Sequence, residues 1–192
     1  MSKGFLKSIV FLLALLPLLL LIRGFFTNDL TANPVEYLLR QTGYWGLVLL
    51  FFSLAVTPAR RLFRWKKIVS LRRMLGLFSF AYIGLHFLIY LFLDRELYWD
   101  EIIPDIVKRP YITIGFSAFL AMIPLAVTST KGWMKRLGKG WQKLHRLTYV
   151  IAVAGVVHYW WQVKADIRQP ALFAVILLIL FALRLKRKSP AG

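Results

Sequence analysis

The sequence predicts an all-α membrane protein: a bundle of six transmembrane helices, both termini cytoplasmic, forming a single domain over residues 1–192. Three observations predict it. First, 59% of the residues are hydrophobic, although 26 Lys and Arg against 8 Asp and Glu leave a net charge of +18. A soluble nucleic-acid binder with that basic excess would not also be this apolar. Second, the apolar residues form six runs, each near the roughly 20 residues that cross about 30 Å of hydrocarbon as helix. Third, the basic residues fall between alternate runs. Six spans leave no length for a soluble catalytic or nucleotide-binding domain. Cysteine is absent, which excludes disulfides, iron–sulfur clusters, thiol nucleophiles and covalently attached haem, while saying nothing of the compartment.

The first run, about 5–22, follows Lys3 and Lys7 and stops at Arg23. No small-x-small cleavage pattern ends it, so an uncleaved span is expected rather than a signal peptide. The second, about 41–56, is short and stops before Pro58. The third, about 71–93, carries His86, and the fourth, about 110–127, opens on Pro110, where a missing N–H costs least. The fifth, about 144–163, carries His145 and His158, and the sixth covers about 170–185. Pro58 and Pro110 are expected at span boundaries, whereas Pro17 and Pro124 lie within spans and are expected to kink them. Trp99, Trp160 and Trp161 fall near outer ends and Trp65, Trp133 and Trp141 near inner ends, as interfacial anchors do. No internal repeat is evident.

With the N-terminus inside, the inner segments hold 19 basic residues and no acid. They include Arg60, Arg61, Arg64, Lys131, Lys135, Arg136, Lys186, Arg187 and Lys188. The outer loops hold seven basic residues and all eight acids, among them Asp94, Glu96, Asp100, Glu101 and Asp105. This positive-inside pattern fits a multi-pass protein of a bacterial inner membrane. Topology and the anionic headgroups of membrane lipids account for the basic runs without nucleic acid.

No acid falls inside a run, so the three histidines carry most of the available chemistry. An ionisable group at membrane depth is costly and is a functional candidate, the alternative being a hydrogen bond that glues helices together. His86 lies 15 residues along the third span and His158 lies 14 along the fifth, about 22 and 21 Å from the inner side at 1.5 Å per residue. Two imidazoles at one depth on parallel helices can ligate a b-type haem. A proton relay is the competing use. Gly155, with Ala154, is expected to leave room for the macrocycle or to let helices pack closely. His145 sits about 20 Å from His158 along the helix, with no histidine at its own depth. A second haem with a non-histidine ligand, a flavin or quinone site, and a headgroup contact stay open for it. Arg72, Arg73, Trp141, Lys143 and Arg146 surround it at the inner surface. Cationic forks beside an aromatic plane suit the phosphate and ring of FMN, and equally lipid phosphate.

Several stretches carry a family resemblance. They are Arg73-Met74-Leu75-Gly76-Leu77 leading to Leu85-His86, then Tyr90-Leu91-Phe92-Leu93-Asp94, and Lys108-Arg109-Pro110-Tyr111-Ile112-Thr113. After them come Pro124-Leu125-Ala126-Val127-Thr128-Ser129, Trp141-Gln142-Lys143-Leu144-His145-Arg146-Leu147 and His158-Tyr159-Trp160-Trp161. From about residue 40 to 165 the chain resembles the haem-binding membrane subunits of periplasmic methionine sulfoxide reductase systems, within the wider ferric-reductase-like transmembrane group. The resemblance implies haem b, with FMN reported, and histidine roles at His86, His145 and His158. It implies electrons from the quinone pool or a cytosolic flavin reductase, passed to a periplasmic molybdopterin-containing reductase. No substrate chemistry is then expected in this chain. The alternative is a cytochrome b-type ferric reductase, or a redox subunit for another periplasmic partner. Relatives in the wider group place two histidines on each of two helices. Here Arg72 stands 14 residues before His86, so a second haem with two histidine ligands is not expected. The acidic loop at 94–105, or the loop around Lys164 and Asp166, is the expected docking surface.

Overall fold

A computed structural model describes residues 2–163 and 165–185, Leu185 by its backbone alone. Lys164, Lys186, Arg187 and Lys188 lie outside the described residues. The regular structure of the described residues is all helical: α1 (Lys3–Phe26), α2 (Pro34–Phe63), a 3₁₀ turn (Lys66–Leu71), α3 (Arg72–Ile89) running into a π turn (Tyr90–Asp94), α4 (Trp99–Lys108), α5 (Pro110–Val127), α6 (Lys131–Leu137), α7 (Lys139–Leu144), α8 (Leu147–Gln162) and α9 (Arg168–Leu185). Among the described residues, four stretches are long and apolar enough to cross a membrane: Lys3–Phe26, Pro34–Phe63, Lys66–Asp94 and Pro110–Val127. Helix α8 packs mainly on α5, while α9 lies against α8 and α2.

The centre is a four-helix arrangement in which α2 packs on α3 and α5 on α8. Leu47, Leu50 and Leu54 of α2 meet Ile151 and Ala152 of α8 and Leu177 of α9 in one buried cluster. Only Ala14, Leu21 and Gly24 of α1 are buried, so this helix presents most of its apolar surface outward, as a lipid-facing helix does.

Helix α2 begins at Pro34 rather than near residue 41. The Asn33 side chain accepts from the Glu36 N–H at 3.2 Å, and Pro34 at the first helical position needs no donor partner. A 2.6 Å Glu36–Arg40 ion pair follows on the same helix face. These polar turns carry the helix beyond its apolar run, and its 30 residues span about 45 Å. Pro110 does stand at a helix start, and Pro17 and Pro124 lie within helices.

Pro58 lies inside α2, not at a boundary. A proline there removes the N–H that would meet the carbonyl four residues earlier, which is that of the buried Leu54. Arg184 of α9 supplies the missing donor: its Nη2 bonds the Leu54 carbonyl, and its Nη1 donates to the Tyr149 hydroxyl at 2.5 Å. The guanidinium also lies 4.9 Å over the Tyr149 ring. Replacing Arg184 with Met should therefore destabilise the protein by about 1–3 kcal/mol, the range for a buried acceptor left unpaired. Adding Pro58→Ala should recover part of the loss, because the helix regains its own donor. Thermal unfolding of the single and double variants in detergent checks this. Equal midpoints for both variants would remove the assigned link.

A second repair joins α1 to α3. The Tyr82 hydroxyl donates to the Ala14 carbonyl at 2.8 Å and accepts from the Leu18 N–H at 3.0 Å. Those two backbone groups are one helical step apart, so the hydroxyl is inserted into the α1 ladder beside Pro17, a recognised cause of helix bending.

Candidate functional site

Helix α3 delivers His86 and α8 delivers His158. The Nδ1 of His86 lies 2.8 Å from the Leu39 carbonyl of α2, and the Nδ1 of His158 lies 2.7 Å from the Tyr111 carbonyl of α5. A carbonyl only accepts, so each Nδ1 carries the proton and each Nε2 keeps its lone pair. Neither Nε2 makes a hydrogen bond to another described residue. The ring centroids stand 6.2 Å apart with planes at 83°.

The neighbouring helices admit these rings at two glycines. A Cβ on Gly43 of α2 would sit 3.0 Å from the His86 Nδ1, and one on Gly115 of α5 would sit 2.6 Å from the His158 Nδ1. The two halves obey one rule. Each histidine follows its carbonyl by 47 residues and its glycine by 43. The α2–α3 and α5–α8 pairs are thus equivalent half-sites, a repeat that the sequence reading did not find. Its signal is an equal offset between unlike segments. A Cβ on Gly155 would meet Leu47 at 3.2 Å, so the missing side chain lets α8 approach α2, one of the two uses expected of it.

The donor set fits a haem. Imidazole–metal bonds are about 2 Å long, and with about 1 Å from each nitrogen to its ring centre two such bonds span roughly 6 Å. The observed separation is 6.2 Å. Among the described residues no group of three or more His, Cys, Asp or Glu forms a bare-metal cage. Two imidazoles with ring centres 6.2 Å apart would suit an ion whose other positions belong to a macrocycle. Carbonyl bonds to Nδ1 also raise the basicity of the opposite nitrogen and set each ring's orientation. Beside the pair, the Phe87 ring packs at a tilt 5.0 Å from Phe119 and 5.4 Å from Phe116, an apolar seam between α3 and α5.

His145 belongs to a separate cluster. Tyr111, the partner of His158, opens α5, while Thr128, the partner of His145, caps its far end, about 25 Å away along the helix. The Thr128 hydroxyl donates to the Pro124 carbonyl at 2.6 Å and lies 3.1 Å from the His145 Nε2. His145 is then the donor through Nε2, the reverse of the polarity at His86 and His158. Trp141 stacks on His145 at 4.0 Å and gives its Nε1–H to the Thr128 carbonyl at 2.9 Å. Arg73 reaches the Ser129 carbonyl at 3.4 Å, and Arg72, half-buried, accepts from Ser53 through its backbone carbonyl at 2.9 Å. Lys143 and Arg146 are exposed. Thr128, Ser53, Gly43 and Gly115 escaped the sequence reading because small residues in apolar runs carry no compositional signal.

Just beyond the π turn, Arg95 gathers acids from that turn and from α4. It pairs with Asp105 at 2.6 Å, Glu101 at 3.3 Å and Asp94 at 3.4 Å, and Arg109 adds a second contact to Asp105 at 3.0 Å. Burial works against the Arg95 charge, but Asp105 and Asp94 outweigh it and hold the guanidinium above its ordinary pKa. The exposed surface of this segment combines Glu96, Asp100 and Glu101 with Tyr98, Trp99, Ile103 and Val107. Asp166, in the other expected docking loop, accepts from the Arg168 N–H at 3.0 Å.

Residues 42–156 match the ferric reductase like transmembrane component family. Three similar relatives carry one name, protein-methionine-sulfoxide reductase heme-binding subunit MsrQ. That of Herminiimonas arsenicoxydans is 51% identical, covering 93% of this chain and 83% of the relative. That of Rhodospirillum rubrum is 52% identical over 92% and 85%, and that of Xanthomonas campestris pv. campestris (strain B100) is 47% identical over 86% and 76%. No solved structure matches the chain. With more than half of the chain matched by the family and relatives covering most of its length, the chain belongs to the MsrQ family of heme-binding subunits, within the ferric reductase like transmembrane components.

Proposed function

We propose that this chain is a membrane electron-transfer subunit that carries electrons through a b-type haem to a periplasmic methionine sulfoxide reductase. The observation that carries it is the His86–His158 pair, with rings 6.2 Å apart and both Nδ1 atoms given to backbone carbonyls. A haem held there supplies one-electron redox chemistry. The protein's part would be to offer the two Nε2 atoms, to orient the rings through the Leu39 and Tyr111 carbonyls, and to surround them with apolar helices. The six helices α1, α2, α3, α5, α8 and α9 are read as six spans in a bacterial inner membrane, with both termini cytoplasmic. The charge asymmetry of the loops supports that orientation. It puts the pair towards the periplasmic side, where a soluble acceptor can approach.

The acceptor in this reading is the molybdopterin-containing reductase, and the donor is the quinone pool or a cytosolic flavin reductase. The reading does not extend to FMN. Trp141 already stacks on His145 and spends its Nε1–H on Thr128, so that ring face is not open to a flavin. A ferric-reductase role would use the same pair, as the family match allows. Co-purification separates the two, since only the proposed role retains a periplasmic reductase.

An absorption spectrum of the purified protein tests the core of the proposal. Dithionite should produce the sharp α band of a low-spin b-type haem, and His145→Ala should leave that band largely intact. A purified, folded protein without the band would overturn the reading.

A further inference from the structure

Among the described residues, four buried side-chain polar atoms lack a hydrogen-bond partner, and three of them lie in one cluster: the Tyr90 hydroxyl, the Arg95 Nε and the Asp105 Oδ2. Tyr90 opens the π turn, a form of helix frequent at functional sites. The Arg95 guanidinium stands 5.8 Å over the Tyr90 ring, yet it forms no well-aligned hydrogen bond with the hydroxyl. Asp105 lies 2.6 Å from Arg95 and 3.0 Å from Arg109. A buried hydroxyl and a buried guanidinium N–H left unbonded are costly, so the cluster is suited to a group that the described residues do not supply. Its place narrows which group. Tyr90 follows His86 by one turn on the same face, and its N–H bonds the His86 carbonyl. At the other end, Arg109 donates to the Tyr111 hydroxyl at 3.4 Å. Tyr111 holds His158 through its carbonyl, with its ring 6.4 Å from the imidazole. Tyr90, Arg95, Asp105, Arg109 and Tyr111 therefore form an arch from one histidine to the other.

We propose that the Tyr90 hydroxyl and the Arg95 Nε–H hold a propionate carboxylate of the haem bound between His86 and His158. Both unpaired groups are donors, and a carboxylate accepts from both while bringing the charge that a guanidinium favours. The local charges leave room for it. Asp105 is buried and is answered twice, by Arg95 and by Arg109, so two guanidiniums outweigh the one buried carboxylate. Asp94 and Glu101 lie farther from Arg95, at 3.4 and 3.3 Å, and are exposed, so water and salt weaken their repulsion of a second anion. The histidines fix the iron from the two sides, but they do not fix how a flat ring turns about the axis between them. A carboxylate held at the arch would fix that turn, with the propionate edge towards α4. The assignment rests on the haem reading and adds to it the means by which the macrocycle is oriented.

The test uses the full chain, purified in detergent from haem-starved cells, and two probes: hemin, and hemin dimethyl ester, whose propionates carry no charge. Binding is read from the growth of the low-spin Soret band. The wild type should prefer hemin by about tenfold or more, the worth of one hydrogen bond to a charged group. Tyr90→Phe and Arg95→Met should each erase most of that preference by weakening hemin, with affinity for the ester unchanged. Tyr90→Phe should also keep the wild-type unfolding temperature before porphyrin is added, because its hydroxyl bonds no described residue. Equal affinity of the wild type for both probes would overturn the site and leave the cluster to bound water. So would a Tyr90→Phe variant that weakens both probes alike, since its effect would then be one of packing. Both of these outcomes leave the haem reading intact. A folded wild type that takes up neither probe would overturn that reading, and the propionate site with it.

Discussion

Replacing His86 or His158 with alanine should abolish the low-spin haem spectrum, either change alone being sufficient. A low-spin haem held here would need the Nε2 of both residues, and neither can be supplied from elsewhere. His145 is committed to Thr128 at the opposite end of α5. Helical content and a monodisperse detergent profile should persist, because the lost contacts are one carbonyl bond each, worth about 1 kcal/mol. The loss should therefore be read as missing cofactor and not as unfolding. The ring planes make a sharper claim. They cross at 83°, and each is held by its own backbone carbonyl. Imidazole ligands held near-perpendicular would give a strongly anisotropic low-spin ferric EPR signal, whereas parallel ones would give an ordinary rhombic one. A rhombic signal would show that the carbonyls do not control the rings. Loss of the band in His145→Ala, with retention in His158→Ala, would sink the pairing itself.

The second large effect concerns residues that touch no ligand directly. Gly115→Ala should lose most of the haem, and Gly43→Ala should lose less. A Cβ at position 115 would stand 2.6 Å from the His158 Nδ1 and 2.8 Å from its Cε1, which forces the ring off its carbonyl. At position 43 the corresponding separations are 3.0 and 3.2 Å, so a small rotation of His86 suffices. Overpacking of this kind costs about 1–3 kcal/mol, or a weakening of haem affinity of about fivefold to somewhat over a hundredfold at 1.4 kcal/mol per decade. Gly84→Ala is the control, because its Cβ would make an ordinary 3.9 Å contact with Phe119. Haem-to-protein ratios after purification, with added hemin titrated back into each variant, measure the order. An equal loss in all three variants would mean that helix packing in general, and not the fit of the imidazoles, is responsible.

Residue order alone determined where the long helices form. Apolar runs and helix length are local properties, and the runs near 5–22, 71–93, 110–127, 144–163 and 170–185 each lie within or closely overlap a helix of the structure. It also singled out His86 and His158, since depth along a helix follows from counting residues. Capping residues outside the apolar run lengthened α2 at its start, which a hydropathy reading passes over. Pro58 looked like a terminus because its cost as a helix breaker is local, whereas its remedy, Arg184, comes from α9, 126 positions later.

Only the tertiary structure decided the features that make the histidines a site. The acceptors for Nδ1 are backbone carbonyls of Leu39 and Tyr111, and a carbonyl is the same in every residue, so nothing in the side-chain order marks it. The glycines at 43 and 115 matter through an atom they lack, at a distance set by how two helices pack. Side-chain type and spacing report on one helix at a time, whereas the direction of a lone pair depends on the helix next door.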